Sequence, residues 1–290
     1  TELHADPMAL LRTRTSTKWA SYPPDVLPLF VAEMDFPLAT PIAAHLIGMI
    51  GRGDLGYDSR RPAIGEAFAG FAHDRWGWDF DPSTLRWTTN VMVAITELLR
   101  SVIEPGDAVV VNTPVYGPFF WAIDDAKGVR VDVPLVEVAP TEWEIDLEGL
   151  EAAFAAGAKA FILCNPHNPI GIPHSREQLE RVAELAAQYD VVVISNEIHG
   201  AIVHSDGVFT PYLDVSDAAR ATGVAVTSAS KAFNIPGLTS AYWIPGSPEA
   251  AKRIAGISPS VVHRVSHLGT HAATVAFTSA RDWLDSALET

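Results

Sequence analysis

The chain has 290 residues, 48% of them hydrophobic, and carries 35 acidic against 20 basic side chains for a formal net charge of −15. That length suffices for one large core, while the acidic balance argues against nucleic acid or an anionic membrane as partner, because the general field repels both. A single cysteine, Cys164, excludes an intrachain disulfide and fits a reducing compartment.

The opening "TELHADPMALLRTRT" lacks a basic stretch followed by an apolar block, and no run approaches the roughly 18 apolar residues of a membrane helix, so no membrane association and a cytoplasmic location are expected. The next segment, "SYPPDVLPLFVAEMDFPLATP", is proline-rich and reads as extended chain that wraps a surface or a neighbouring subunit. From about residue 84, β-branched and aromatic runs alternate with helical patterns. Strands are predicted at 85–89, 108–113, 129–134, 160–165, 191–196, 224–229 and 240–245, and helices at 91–103, 147–156 and 175–189. In the last helix Leu179, Val182, Ala183, Leu185 and Ala186 fall on one face, and Ser175 stands in a capping-box relation to Gln178. Alternation of this kind, with continuous apolar strands, predicts a mostly parallel sheet covered on both faces. Cys164, inside the apolar run "AFILCN", is expected to be a buried and inert thiol. The final "SARDWLDSALET" reads as a helix that begins without a closing turn.

Ligands of such sheets bind beyond the carboxyl ends of the strands, which directs attention to three segments. "NPHNPIG" (165–171) is a stiff turn that offers asparagine amides; "NEIHG" (196–200) brings Asn196, Glu197 and His199; "SASKAFNIPGL" (228–238) sets Lys231 among small side chains. A polar turn leads into the helix "VMVAITELL", so the amides of Val91, Met92 and Val93 are expected to face the crevice and suit a phosphate, with the serines of "SASK" completing the cradle.

Together these segments resemble the aspartate-aminotransferase-like, fold type I pyridoxal-phosphate enzymes of the aminotransferase class I/II superfamily. Within them the chain is most similar to the C–S β-lyase branch, the MalY/PatB-type cystathionine β-lyases, which "KWASYPPDVLPLFVAEMDFP" (18–37), "GYDSRRP" (56–62) and "NTPVYGPFF" (112–120) also match. The resemblance implies an α/β large domain over 46–275, an N-terminal arm with part of a small domain over 1–45, and over 276–290 the start of a C-terminal small domain that continues further in family members. It implies pyridoxal 5'-phosphate as cofactor, no metal, and a homodimer whose active sites are shared across the interface.

The resemblance also assigns roles. Lys231 would hold the cofactor as a Schiff base and take the Cα proton of the substrate. Ser228 and Ser230, with the amides of Val91 and Met92, would bind the phosphate. Tyr116 would stack on the pyridine ring, Asn168 would bond its hydroxyl, and His199 occupies the neighbouring position on the next strand. Tyr57 is similar to a tyrosine that reaches the partner's phosphate, and either Arg60 or Arg61 would line the same entrance. Asn196 stands where the family has aspartate, so the counter-charge that keeps the ring nitrogen protonated is missing. Glu197 would point to the opposite face of the strand and not replace it. The activity implied is α,β-elimination from cystathionine or cysteine S-conjugates; the alternatives are an aminotransferase built from the same parts, and a cofactor-binding regulator with little catalysis.

Overall fold

The computed structural model describes residues 2–58 and 63–290. Among the described residues there are nine strands: β1 (Arg86–Thr88), β2 (Ala108–Val111), β3 (Val129–Asp132), β4 (Val136–Ala139), β5 (Glu142–Glu144), β6 (Ala160–Cys164), β7 (Val192–Asn196), β8 (Gly223–Thr227) and β9 (Ala241–Pro245). Seven of them form one sheet in the order β1-β9-β8-β7-β6-β2-β3. β3, β2, β6, β7 and β8 run parallel, and β9 is antiparallel to both β8 and β1. These seven are the seven strands predicted, with ends displaced by at most two residues.

Burial explains why the central strands read so plainly. Every residue of β6, β7 and β8 is buried, so both faces must be apolar and the strands appear as unbroken hydrophobic runs. Phe161, Leu163 and Val193 enter the core on one face, with the helices Leu147–Ala155 and Arg176–Gln188. Ile162, Cys164 and Ile194 enter the core on the other, beneath the helices Val91–Val102 and Pro118–Asp125. Each buried Phe, Leu or Ile side chain contributes roughly 2 kcal/mol. The helices start where side chains accept the first orphan amides: Asp146 from Gly149 N–H and Ser175 from Gln178 N–H at 3.2 Å.

Two regions depart from the sequence reading. β4 and β5 pair as a separate antiparallel hairpin, which the pattern conceals because Val136 and Val138 are exposed. Its turn rests on Thr141 at φ 68°, without the glycine that normally marks such a position. The N-terminal arm is not extended throughout: helical turns at Met8–Leu11 and Thr17–Ala20 precede the proline-rich stretch. The arm is tied down by buried Lys18, whose ammonium bonds Asp35 Oδ2 at 2.9 Å and Glu33 O at 2.8 Å.

The helices Thr40–Gly51, Ala63–Trp76 and His267–Ser279 pack together over the sheet around Phe68, Phe71 and Phe277. The last of them approaches the loop at Leu238 so closely that a Cβ on Gly269 would lie 1.9 Å from the Leu238 carbonyl oxygen. Backbone cannot yield as a flexible side chain can, so Gly269→Ala is expected to destabilise the fold by about 2 kcal/mol through overpacking. Chemical denaturation measures this directly, and an unchanged midpoint would mean that this helix has room to shift.

Candidate active site

β6, β7 and β8 are parallel neighbours, so their carboxyl ends open on one edge of the sheet, the edge at which β1 also ends and the Val91–Val102 helix begins. The helix is capped by Asn90, whose Oδ1 accepts Val93 N–H at 2.9 Å. Val93 is therefore not available as expected, and the first-turn amides of Val91 and Met92 remain without a carbonyl one turn back. Two amides at a helix start form a seat for an anion.

Lys231 follows β8 in the turn Ala229–Asn234, closed by Phe233 N–H to Ala229 O at 3.0 Å and Asn234 N–H to Lys231 O at 3.3 Å. Its amine is half-buried, and burial holds its pKa below the ordinary lysine value, opposed by the negative charge of Glu33. No carboxylate pairs with it among the described residues. His199 lies within reach of the same charge: burial first, and the Lys231 cation second, push its imidazole down to about 4. At neutral pH the ring is uncharged.

The two serines behave differently. Ser228 Oγ donates to Ser240 O at 2.6 Å and accepts Ser230 N–H at 3.0 Å, so its hydrogen is spent on shaping the turn. Ser230 is half-buried, and its hydroxyl has no partner among the described residues. Tyr116 is 40% exposed, edge-on to Phe119, with ring surface left open. Asn168 is half-buried and donates its backbone N–H to Cys164 Sγ at 3.4 Å. Its neighbour His167 turns inward and donates Nε2–H to Pro114 O at 2.8 Å, a structural role.

Asn196 ends β7 nearly buried, its Oδ1 accepting Ile198 N–H at 3.4 Å. Glu197 turns away as strand alternation predicts: its Oε1 accepts Ser195 Oγ–H at 2.9 Å and Tyr212 N–H at 2.8 Å. Cys164 is buried as expected, and desolvation raises its thiol to about 12. Tyr57 is 99% exposed and touches none of these residues within the chain; Arg60 and Arg61 lie outside the described residues. A hollow of about 1050 Å³ exists elsewhere, along Trp87 of β1 and Trp243 of β9, and brings none of the candidate residues together. What the sequence reading missed is the arm: Glu33 acts on Lys231, and Asn234 grips Met34. The only signal was the segment "FVAEMDFP".

Glu197 carries a consequence for stability. Burial raises its carboxyl to about 7 from a model-peptide value of 4.5, so the folded protein holds a proton that the unfolded chain releases. Stability from this group is complete below pH 4.5 and is lost as pH rises to about 7, by an amount of order 3 kcal/mol. Glu197→Gln keeps an acceptor for Ser195 and removes the titration. Its melting temperature is expected to gain on that of the natural protein as pH rises through that window, because every other titrating group is shared by the two; parallel curves would contradict this.

The family model for aminotransferase class I and II matches residues 38–289. A Mycobacterium tuberculosis protein provisionally named a cystathionine beta-lyase is 41% identical over 284 residues, 95% of this chain and 68% of its own. The cystathionine beta-lyase PatB of Bacillus subtilis is 33% identical, with 90% of this chain and 68% of that protein covered. Among solved structures, cystalysin from Treponema denticola, which contains a pyridoxal 5'-phosphate cofactor, superposes with a TM-score of 0.88 at 26% identity, over 95% of this chain and 72% of its own. Strand order, the lysine-bearing turn after β8 and this match across most of the sequence agree: the chain belongs to the aminotransferase class I and II family.

Proposed function

We propose that the protein is a pyridoxal-phosphate-dependent carbon–sulfur β-lyase acting on cystathionine or related cysteine S-conjugates. The observation that carries this reading is Lys231: an amine at a strand's carboxyl end, half-buried, with a lowered pKa and no ion pair among the described residues. A neutral amine is what both attack on an aldehyde and removal of a Cα proton require. The relatives named cystathionine beta-lyase and the cofactor in cystalysin support the same reading.

The surrounding residues fit the cofactor. The Val91 and Met92 amides with the Ser230 hydroxyl would hold the phosphate, while Ser228 fixes the turn that presents Ser230. Tyr116 would cover the ring face, Asn168 would donate to the ring hydroxyl, and Asn196 would meet the ring nitrogen. When bound, the cofactor supplies an aldehyde for the amines and a ring that accepts the electron pair left by Cα deprotonation. Lys231 Nζ takes that proton, and neutral His199 beside it adds no opposing positive charge. The sulfur leaves as a thiolate, and with one water the products are a thiol, pyruvate and ammonia. Tyr57, exposed in the single chain, would complete the site of a second copy in a homodimer, and a cytoplasmic location matches the free cysteine.

Borohydride treatment of the purified protein, followed by peptide mapping, is expected to fix the cofactor onto Lys231. Incubation with cystathionine without any keto acid is expected to release pyruvate and thiol. Strict dependence on a keto-acid acceptor would instead establish an aminotransferase.

A further inference from the structure

We propose that Glu33 selects substrates by the far end of their sulfur-linked chain, favouring thioethers that carry an ammonium on the leaving-thiol side. This rests on the lyase reading above and concerns the same site.

The arm crosses the Lys231 turn in a fixed position. Met34 N–H donates to Asn234 Oδ1 at 2.9 Å, and Asn234 Nδ2 donates back to Met34 O at 2.9 Å, a reciprocal pair across 200 residues of sequence. Asn234, at φ 54°, stands three residues beyond Lys231 in the turn that it closes. On the other side of the arm, Lys18 Nζ holds the carbonyl of Glu33 at 2.8 Å. The Glu33 backbone is thus gripped from both sides, and its side chain is the part free to serve a ligand.

That carboxylate accepts one hydroxyl, Ser16 Oγ at 2.6 Å, and stays half-exposed. Lys18, the adjacent cation of the arm, directs its ammonium to the Glu33 carbonyl and to Asp35. No ion pair neutralises the Glu33 side chain among the described residues. Its neighbour Met34 is tied to Asn234 of the Lys231 turn, so the carboxylate stands beside that turn and its field reaches the Lys231 amine.

A fixed anion there has a specific use. The substrate's α-amino group must shed its proton to react, and a neighbouring carboxylate would oppose that by favouring the ammonium. The charge therefore serves a group that stays cationic throughout turnover. Cysteine S-conjugates offer one such place, the chain beyond sulfur, and an ammonium there gains a pair without desolvating Glu33 fully.

The test compares S-(3-aminopropyl)-L-cysteine with its neutral isostere S-butyl-L-cysteine on the cofactor-loaded protein. The natural protein is expected to show a KM about fivefold lower for the amine, the upper range for a half-exposed pair, and this preference should shrink in 0.5 M salt, where screening is about three times shorter in range than at 0.05 M. In Glu33→Gln the ratio of the two KM values should fall to about one; the ratio is internal to each variant, so a general loss of folded protein does not move it. An unchanged ratio in Glu33→Gln overturns the proposal. Binding of L-lysine against L-2-aminoheptanoate, neither of which has a thiol to lose, gives the same comparison by calorimetry. If the natural protein cleaves neither thioether, the lyase reading fails, and the lysine comparison then decides the role of Glu33 by itself.

Discussion

Lys231→Ala is expected to lower turnover of cystathionine by about a thousandfold or more, the scale of a lost general base even before the lost covalent anchor is counted. The expectation follows from where the lysine sits. Its amine is half-buried and its pKa is lowered by desolvation, so a larger fraction is neutral near physiological pH than for a surface lysine. Among the described residues its side chain donates no hydrogen bond, so truncation leaves no buried acceptor there unpaired, and the turn is held by backbone bonds at Ala229, Ser230 and Lys231. The variant should therefore fold with a midpoint close to the natural one, and it should no longer retain cofactor after borohydride treatment. Turnover held within about tenfold of the natural protein would contradict the assignment, whereas complete absence of turnover in both would favour a regulator that binds the cofactor without using it.

Much of this was legible because the parallel sheet imposes it. β6, β7 and β8 are buried on both faces, which forces unbroken apolar runs, and their carboxyl ends are where polar residues become useful. Lys231, Asn196, His199 and Asn168 lie in the polar segments at the ends of such runs, and the resemblance to the family singles them out within those segments. Ser228 and Val93 show the limit of this logic. Both were expected to face the crevice, yet Ser228 spends its hydrogen on Ser240 and Val93 spends its amide on Asn90. Those competitors are local hydrogen bonds whose geometry no periodicity records. Glu33 was hidden for another reason: it reaches the site by a tertiary crossing fixed by Asn234, 200 residues away. The β4–β5 hairpin escaped because its apolar residues point to solvent and its turn uses threonine in place of glycine.

Asn196→Asp is expected to speed Cα deprotonation about tenfold or more, since a carboxylate within hydrogen-bond reach shifts the protonation of its partner by about 1–3 pKa units. The natural side chain cannot do this. Its Oδ1 already takes Ile198 N–H, and the Cys164 thiol lies beside the amide, so what remains to meet a ring nitrogen is a neutral donor. Aspartate has nearly the same shape and can keep the Ile198 bond while adding a charge. The same substitution should have opposite effects on the two forms of the protein. Without cofactor, a carboxylate in this nearly buried position loses hydration without gaining the ring nitrogen as a partner, and the melting temperature should fall. With cofactor, the new charge gains a partner and the stabilisation on loading should exceed that of the natural protein. Exchange of the Cα proton into deuterated water measures the rate, and thermal unfolding with and without cofactor measures the pairing. A faster exchange together with a larger loading shift places Asn196 against the ring nitrogen; an unchanged or slower exchange with parallel melting shifts would mean that the side chain at the end of β7 faces something else.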